Sequence, residues 1–291
     1  MHRVRSGSRP PAAGVRRLLP MVAGLFAFSL SLAAPPDAPA GAPWVRERHR
    51  LLVDGTAESW TLAWGEKPRD SSCSPAAVDT TISCPCLGFG YAEQGHLVLT
   101  RRRPGEAPDT LALDGLFGLE NVENPVLDAH GGASALNRWG SPLARDAERE
   151  LAEEPGLEAE IRRRPAPVVM RFADYGGDGR ATQFLLQVGA LPCGHTQFVA
   201  VGITRAVPHL HALPSTAHPG TPVVLPKEAW RALASGPGEH TVVAWECGDH
   251  GSEVHSELVL SAKDGVVSAR HRDYSCPHDP TQPQLVAERP L

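Results

Sequence analysis

Short apolar or alternating runs, broken by glycine, proline and aspartate, recur along the chain and predict strands joined by tight turns. The first two runs, His49–Val53 and Glu58–Trp64, flank Asp54-Gly55, a dipeptide typical of two-residue hairpin turns. The densest apolar stretch comes later and is rich in valine, leucine and phenylalanine. It predicts three central strands: Pro167–Ala173, Gln183–Val188 and Gln197–Ile203.

Weaker patterns supply the remaining elements. A charged region over residues 143–163, with a sparse apolar face, predicts a helix. A second, short helix is predicted over Leu225–Ser235, because Pro226 suits a first turn and Gly236 a stop. Gly95 predicts a turn between two earlier strands. The other predicted strands are Leu87–Tyr91, His96–Arg101, Thr110–Leu113, Thr241–Trp245, His255–Ser261 and Val266–Arg272.

Together these elements predict a mainly β fold of antiparallel hairpins, sandwich-like or propeller-like, with one or two short helices. Glycine and proline each occur 28 times in 291 residues, a share that favours turns and short elements over long helices. The domain prediction has three parts: an export signal with a proline-rich junction over 1–40, an N-terminal β region over 41–142, and a helix plus C-terminal β region over 143–291. A single domain over 45–285 is the alternative.

The first forty residues predict an export signal. Five arginines lead into an apolar, uncharged run, Leu18–Ala34, and prolines and small residues follow it. The run holds about 17 residues, the lower limit for a membrane span, and no positively charged flank follows it. We therefore expect cleavage between about Ala33 and Ala40, no membrane span in the mature chain, and a periplasmic or secreted protein. Both the general and the twin-arginine export routes stay open.

Removal of the signal makes the protein more acidic. The whole chain carries a formal net charge of −5, and residues 1–40 contain five arginines and one aspartate, so the mature chain carries about −9. Such a chain is not an obvious binder of nucleic acids or of anionic membranes. The basic runs at 101–103 and 162–164 lack the interleaved aromatics on which bases stack. We therefore expect no nucleic-acid partner.

The cysteines predict a disulfide-stapled protein. All six lie in the mature part, and an even number in an oxidising compartment indicates up to three disulfides. Cys247 and Cys276 flank a predicted hairpin that turns at Lys263-Asp264-Gly265, so we expect these two to pair. No Cys-x2-Cys spacing is present, which favours disulfides over zinc. The candidates are Cys73, Cys84, Cys86, Cys193, Cys247 and Cys276.

The strongest functional signal is the loop Asp174–Gln183, which follows the first predicted central strand. Asp174 and Asp178 stand four residues apart, with glycines between and after them. A hard cation such as Ca²⁺ needs six or more oxygen ligands from a tightly folded loop with a glycine at the sixth position. With Asp174 as position one, Asp178 is at five, Gly179 at six, and the backbone carbonyl of Arg180 at seven.

The loop resembles the calcium-binding loop of FG-GAP and VCBS repeats, and more loosely those of EF-hands and dockerins. Asp174, Gly177, Asp178 and Gly179 carry the resemblance, in a setting led by Phe172. In FG-GAP repeats such a loop lies between strands of a propeller blade. The resemblance covers about a dozen residues and implies a calcium ion. The metal ligands that we expect are Asp174, Asp178, Arg180 and Thr182.

Three positions depart from that pattern. Gly176 stands where the family has a side-chain ligand, Thr182 offers a hydroxyl in place of a carboxylate, and Leu185 replaces the bidentate glutamate of EF-hands. The alternative is a glycine-rich turn in which the two carboxylates accept hydrogen bonds from nearby backbone N–H groups.

Two other clusters carry groups that bind metals in other proteins. His209 and His211 share one face of an extended chain, but no glutamate of the cupin spacing follows them. The segment 249–255 lies outside any Gly-x-Ser-x-Gly or His-Glu-x-x-His pattern. Its polar side chains are Asp249, His250, Ser252, Glu253 and His255.

From the sequence we expect an exported binding or structural protein with one structural calcium ion. Its partner would be another protein or a small-molecule ligand. No residue is assigned a catalytic role, and no organic cofactor is implied. The alternative is a metal-dependent hydrolase that uses His209, His211 and residues of the 249–255 loop.

Overall fold

The predicted Asp-Gly hairpin is the first element of the described fold. In the computed structural model, which describes residues 43–72, 91–117, 134–138, 163–191, 195–276 and 284–291, it consists of β1 (Trp44–Val53) and β2 (Thr56–Trp64). Asp54 and Gly55 join the strands with φ of 48° and 78°. These left-handed values are the ones a type I′ turn needs, so the predicted hairpin is confirmed.

Antiparallel hairpins make up most of the described fold, as predicted. The sheets are ordered β1-β2-β5-β6, β3-β4-β7, β10-β9-β11 with β8 paired to β9, and β12-β13-β14-β15. The remaining bounds are β3 (Arg69–Ser72), β4 (Tyr91–Gly95), β5 (Leu97–Arg102), β6 (Asp109–Ala112), β7 (Ser134–Asn137), β8 (Gln183–Leu191), β9 (His195–Gly202), β10 (His211–Ala212), β11 (Leu225–Pro226), α1 (Lys227–Ala234), β12 (His240–Trp245), β13 (Val254–Lys263), β14 (Val266–Ser275) and β15 (Leu285–Pro290).

β8 and β9 lie at the centre of the fold, since both faces of this pair are buried. Val199 and Val201 point into one apolar cluster, which also contains Trp60 of β2. Phe198 and Ala200, at the alternate positions of β9, belong to a second cluster with α1 and with strands β13 and β14. Burial on both faces explains why these runs are apolar almost throughout rather than alternating. The result is a layered, sandwich-like arrangement around β8 and β9.

A buried ion pair ties β2 to β5 beside the first cluster. Glu58 is 2% exposed and accepts two hydrogen bonds of 2.7 Å from the guanidinium of Arg101. Arg101 also donates to the backbone carbonyl of Pro208 at 2.7 Å. The hydrogen bond to Glu58 raises the pKa of Arg101. Arg101 therefore stays charged, and its contacts join the first sheet to the segment after β9.

The predicted strand over Pro167–Ala173 is wrong. Apart from an isolated bridge between Ala173 and Gln183, this stretch belongs to no sheet. The N–H groups of Val169 and Met170 donate instead to the carboxylate of Glu47, at 2.6 and 2.9 Å. A side chain thus satisfies the backbone donors that a neighbouring strand would otherwise satisfy.

Other elements differ in detail from the prediction. β4 pairs with β3 and β7 and not with β5, so Gly95 ends a strand instead of turning a hairpin. Pro226 precedes α1 as its N-cap, one residue earlier than the predicted first-turn position. The sequence predicted none of the strands β3, β7, β10, β11 and β15. The residues 87–90 of one predicted strand and 143–162 of the predicted first helix lie outside the described residues.

The predicted disulfide between Cys247 and Cys276 is confirmed, with their Cα atoms 5.6 Å apart. It closes the base of the β13–β14 hairpin. Cys73, Cys84, Cys86 and Cys193 lie outside the described residues, as does the predicted export signal over 1–40. All the described residues belong to one compact unit that spans Ala38–Leu291.

Candidate functional site

The loop Asp174–Gln183 lies where the chain passes from one apolar cluster to the other. Just before it, Phe172 packs edge-on against Trp60 and Phe184, at ring-centroid distances of 5.3 and 5.7 Å. Tyr175 packs edge-on against Trp230 of α1, at 5.9 Å, and burial raises the pKa of its hydroxyl. Aromatic contacts on both sides hold the loop between two cores.

The two carboxylates of the loop accept hydrogen bonds from backbone N–H groups. Asp174 accepts from Asp178 at 3.1 Å and from Gly179 at 2.7 Å. Asp178 accepts from the N–H of Arg180 at 2.9 Å and from that of Arg205 at 2.7 Å. Each of the four carboxylate oxygens therefore has a backbone partner, as the glycine-rich-turn alternative predicts.

Gln183, the last residue of the loop, organises its buried side. Its side chain is fully buried, and its Oε1 accepts from the N–H groups of Tyr175 at 2.9 Å and Gly176 at 3.3 Å. Its Nε2 donates to the carbonyl of Ile203 at 2.6 Å and to the hydroxyl of Thr182 at 3.0 Å. A single amide thus joins the start of the loop to the end of β9.

The loop also contacts the tips of two hairpins that are far apart in the sequence. The guanidinium of Arg180 pairs with the carboxylate of Asp54, in the β1–β2 turn. The N–H of Gly265, in the β13–β14 turn, donates to the carbonyl of Gly176 at 2.9 Å. Gly177 has φ of +64°, and a Cβ there would stand 2.4 Å from the carbonyl oxygen of Ala262. The glycines therefore permit a close backbone contact with the second hairpin.

The four predicted calcium ligands are all hydrogen-bonded within the protein. The carbonyl of Arg180 accepts from the N–H of Thr182 at 2.9 Å, and the Thr182 hydroxyl donates to Ile203 at 2.9 Å. The guanidinium of Arg205 donates to the carbonyl of Asp178 at 2.8 Å and brings a positive charge to the loop. Among the described residues, no group of three or more His, Cys, Asp or Glu residues is placed to hold a metal ion. Calcium binding by this loop stays a prediction.

His209 and His211 lie beside β9, near the first sheet. His209 has an 80% exposed side chain with its Nδ1 4.0 Å from the carboxylate of Asp109. The Nδ1 of His211 is 2.8 Å from the carbonyl of His209, which can only accept, so this nitrogen carries the hydrogen. The Nε2 of His211 is buried and has no hydrogen-bond partner among the described residues. These contacts give the two imidazole rings different partners and do not place them around one shared metal position.

The segment 249–255 leads into β13, in a different sheet. Asp249–Gly251 form a 3₁₀ turn, and the Ser252 hydroxyl donates to the carbonyl of Val254 at 2.7 Å. His255 lies between two carboxylates, 3.3 Å from Glu246 and 3.4 Å from Glu257. The structure thus groups His255 with two glutamates that the sequence analysis did not select. The described contacts of His255 do not include His209 or His211.

Two residues important to the loop were missed in the sequence. Arg205 reaches Asp178 across 27 positions, and no local pattern marks a contact of that range. Gln183 did carry a weak signal, because it is a polar residue at the start of an apolar run. A buried polar side chain at such a position needs partners, and here they are the backbone groups of the loop.

In comparisons with protein-family models, with curated proteins and with solved structures, nothing matches the chain. Within the part of the chain that the structure describes, no helix is both long and apolar enough to cross a membrane.

Proposed function

We propose that this chain is an exported protein that acts by binding, and that the Asp174–Gln183 loop is the structural joint of its fold. One observation carries the proposal for the loop: its polar groups connect two distant hairpin tips. Arg180 pairs with Asp54 at one tip, and Gly176 accepts from Gly265 at the other. Contacts of this kind fix the positions of the two hairpin tips relative to the loop.

Export is supported by two features. The leader over residues 1–40 has the basic, apolar and small-residue sections of a signal peptide. The disulfide between Cys247 and Cys276 is a bond that persists in oxidising compartments. The predicted cleavage between about Ala33 and Ala40 is checked by sequencing the N-terminus of the exported protein.

A structural calcium ion is the second candidate for the loop. Gly179 has φ of +81° at the sixth position, where calcium loops turn sharply. Ionised carboxylates have about four lone-pair sites, so one N–H partner per oxygen leaves capacity for a cation. Against it, Arg205 already supplies a positive charge at Asp178. The hydrogen-bonded joint is therefore the form that we favour.

A calcium titration followed by thermal unfolding separates the two candidates. The mature protein is stripped with a chelator and compared with Asp178→Ala and with Asp264→Asn, a control in another Asp-Gly turn. Asp264 has φ of 52°, which asparagine tolerates. If the loop is a hydrogen-bonded joint without calcium, we expect calcium to leave the melting temperature of the wild type unchanged. We also expect Asp178→Ala to lower the free energy of unfolding by about 1–2 kcal/mol, because two hydrogen bonds to a charged group are lost and water replaces them in part at this partly exposed site.

If calcium raises the melting temperature of the wild type but not that of Asp178→Ala, the hydrogen-bonded joint is wrong and the loop is a calcium site. Elemental analysis of the purified protein tests the metal-dependent hydrolase that His209, His211 and the 249–255 loop suggested. Stoichiometric zinc or iron, lost together with a hydrolytic activity when His211 is changed to alanine, would contradict a purely binding role.

A further inference from the structure

The outer face of the first sheet carries positive charge without negative charge. Register fixes which residues share this face, because cross-strand partners point to the same side. Arg50 of β1 is opposite Ser59 of β2, which is opposite Arg102 of β5. The two arginines therefore lie about 10 Å apart, two inter-strand spacings, with a serine between them.

The neighbouring row on the same face also combines arginine with hydroxyl-bearing residues. Arg48 heads a row whose other members all bear hydroxyl groups: Thr61, Thr100 and Thr110. On the opposite, inward side of the sheet, Trp60 and Leu99 are fully buried. We call the three arginines and the four hydroxyl residues of the two rows the outer arginine face.

The three arginines of this face are exposed and, among the described residues, make no ion pair or hydrogen bond through their side chains. No described Asp or Glu of the four strands shares the face. Glu58 points inward to Arg101. The acidic residues of the adjoining turns are also engaged, since Asp54 pairs with Arg180 and Glu106 with Arg103.

The arginines of the last sheet provide a comparison, because they lie on a solvated face but have acidic partners. On β14, Arg270 pairs with Glu239 at 2.9 Å, and Arg272 pairs with Glu288. Those arginines are neutralised by neighbours, whereas the arginines of the outer arginine face are not. Charged residues on edge strands prevent unwanted pairing, which accounts for Arg48 and Arg50 on β1. It accounts less well for Arg102, because β5 is not an edge strand: β2 flanks it throughout, and β6 flanks it as far as Arg101.

A face of this chemistry fits an extended, negatively charged ligand that also bears hydroxyl groups. Guanidinium groups bind carboxylates and sulfates in a bidentate way. The hydroxyls of Ser59 and Thr61 make no side-chain hydrogen bond within the described residues, so they can bind sugar hydroxyls. No aromatic residue of the described strands lies on this face to stack on bases, which disfavours single-stranded nucleic acid. Leu52 and Val45 are the large exposed apolar side chains that the described strands place on it, too few for insertion into a membrane.

We propose that the outer arginine face binds an anionic polysaccharide, with its carboxylate or sulfate groups on Arg48, Arg50 and Arg102. This proposal rests on the proposed binding function and names its ligand class. The whole mature chain is acidic, with a net charge of about −9. Attraction of a polyanion is therefore local to this face and is not a property of the protein as a whole.

The test measures binding of the mature protein to three immobilised polysaccharides: heparin, which is sulfated, polygalacturonate, which is carboxylated, and dextran, which is neutral. Binding to single-stranded DNA and to anionic phospholipid vesicles is measured under the same conditions. The variants are Arg50→Gln with Arg102→Gln and, as the control, Arg270→Gln with Arg272→Gln. Both double variants remove two positive charges, so they change the net charge equally. Circular dichroism and thermal unfolding confirm that each variant is folded.

We expect the wild type to bind heparin or polygalacturonate but not dextran, with affinity falling as salt screens the contacts. The outer-face variant should bind about tenfold more weakly, since each exposed charge contact contributes a few-fold. The control variant should stay within twofold of the wild type. Binding of polygalacturonate would show that carboxylates suffice, whereas binding of heparin alone, which carries both groups, would show that sulfates are needed.

Three results would overturn the assignment. They are wild-type binding no better to either polyanion than to dextran, an equal loss in the control variant, and tighter binding of single-stranded DNA or of anionic vesicles than of both polysaccharides. A failure of the proposed binding function would give a different result from these three. Cleavage of a bound polymer over time would contradict a purely binding role and leave the outer arginine face in place.

Discussion

Replacing Gln183 with methionine removes the amide that organises the Asp174–Gln183 loop while keeping a side chain of similar length. The N–H groups of Tyr175 and Gly176 lose their acceptor, and both residues are buried. The carbonyl of Ile203 still accepts from the Thr182 hydroxyl. The main cost is therefore two orphaned backbone donors.

An unsatisfied buried donor costs about 1–3 kcal/mol, and the buried methionine regains about 1 kcal/mol from its apolar surface. We therefore expect Gln183→Met to lower the free energy of unfolding by about 3 kcal/mol. For a chain of this size the melting temperature should fall by about 10 °C. Urea unfolding followed by circular dichroism measures the free energy, and an unchanged m-value shows that the denatured state is not altered.

Gln284→Met is the matched control, because it makes the same substitution at an exposed position before β15. It should stay within about 0.5 kcal/mol of the wild type. A Gln183→Met variant within 1 kcal/mol of the wild type would refute the reasoning, since it would mean that the loop does not depend on this amide.

Three further perturbations test other parts of the fold. Gly202→Ala should lower the free energy of unfolding by about 3 kcal/mol or more, because its Cβ would stand 2.1 Å from the carbonyl oxygen of Thr182. Gly189→Ala is the control and should be neutral in the same urea assay, because nothing lies within 4 Å of its Cβ. Changing Cys247 and Cys276 to serine should cost about 3–4 kcal/mol, from the closure of a loop with a sequence separation of 29; an unchanged melting temperature would argue against this. Burial lowers the pKa of His271 in the folded protein, so the unfolded chain binds more protons and stability should fall as the pH drops below about 6.5. His271→Gln should flatten that dependence between pH 5 and 7, and an identical pH profile for the two proteins would contradict the assignment.

Local signals in the sequence were sufficient for much of the β architecture. Asp54-Gly55 and Asp264-Gly265 both form turns with positive φ at both residues, because aspartate and glycine tolerate that conformation. The central strands β8 and β9 also follow from the sequence, as a run apolar at nearly every position can bury both faces. The pairing of Cys247 with Cys276 followed from their positions on either side of one predicted hairpin.

The same local reasoning fails where a side chain replaces a strand. The apolar run at Pro167–Ala173 has the composition of a strand, but the carboxylate of Glu47 takes its backbone donors. That contact spans more than 120 positions in the chain. A pattern of neighbouring residues has no information on a partner so distant.

The candidate site divides in the same way. The sequence by itself determined that Asp174–Gln183 is a tight, glycine-dependent turn with two carboxylates, since these are properties of neighbouring residues. Only the tertiary structure decided what those carboxylates contact and that the loop joins two hairpin tips, through Arg180, Gly176 and Arg205. It also decided which arginines lie unpaired on one face of the first sheet. The loop contacts depend on how whole sheets pack against a shared core, and the arginine face depends on which strands become neighbours in the first sheet. No short segment of sequence specifies either.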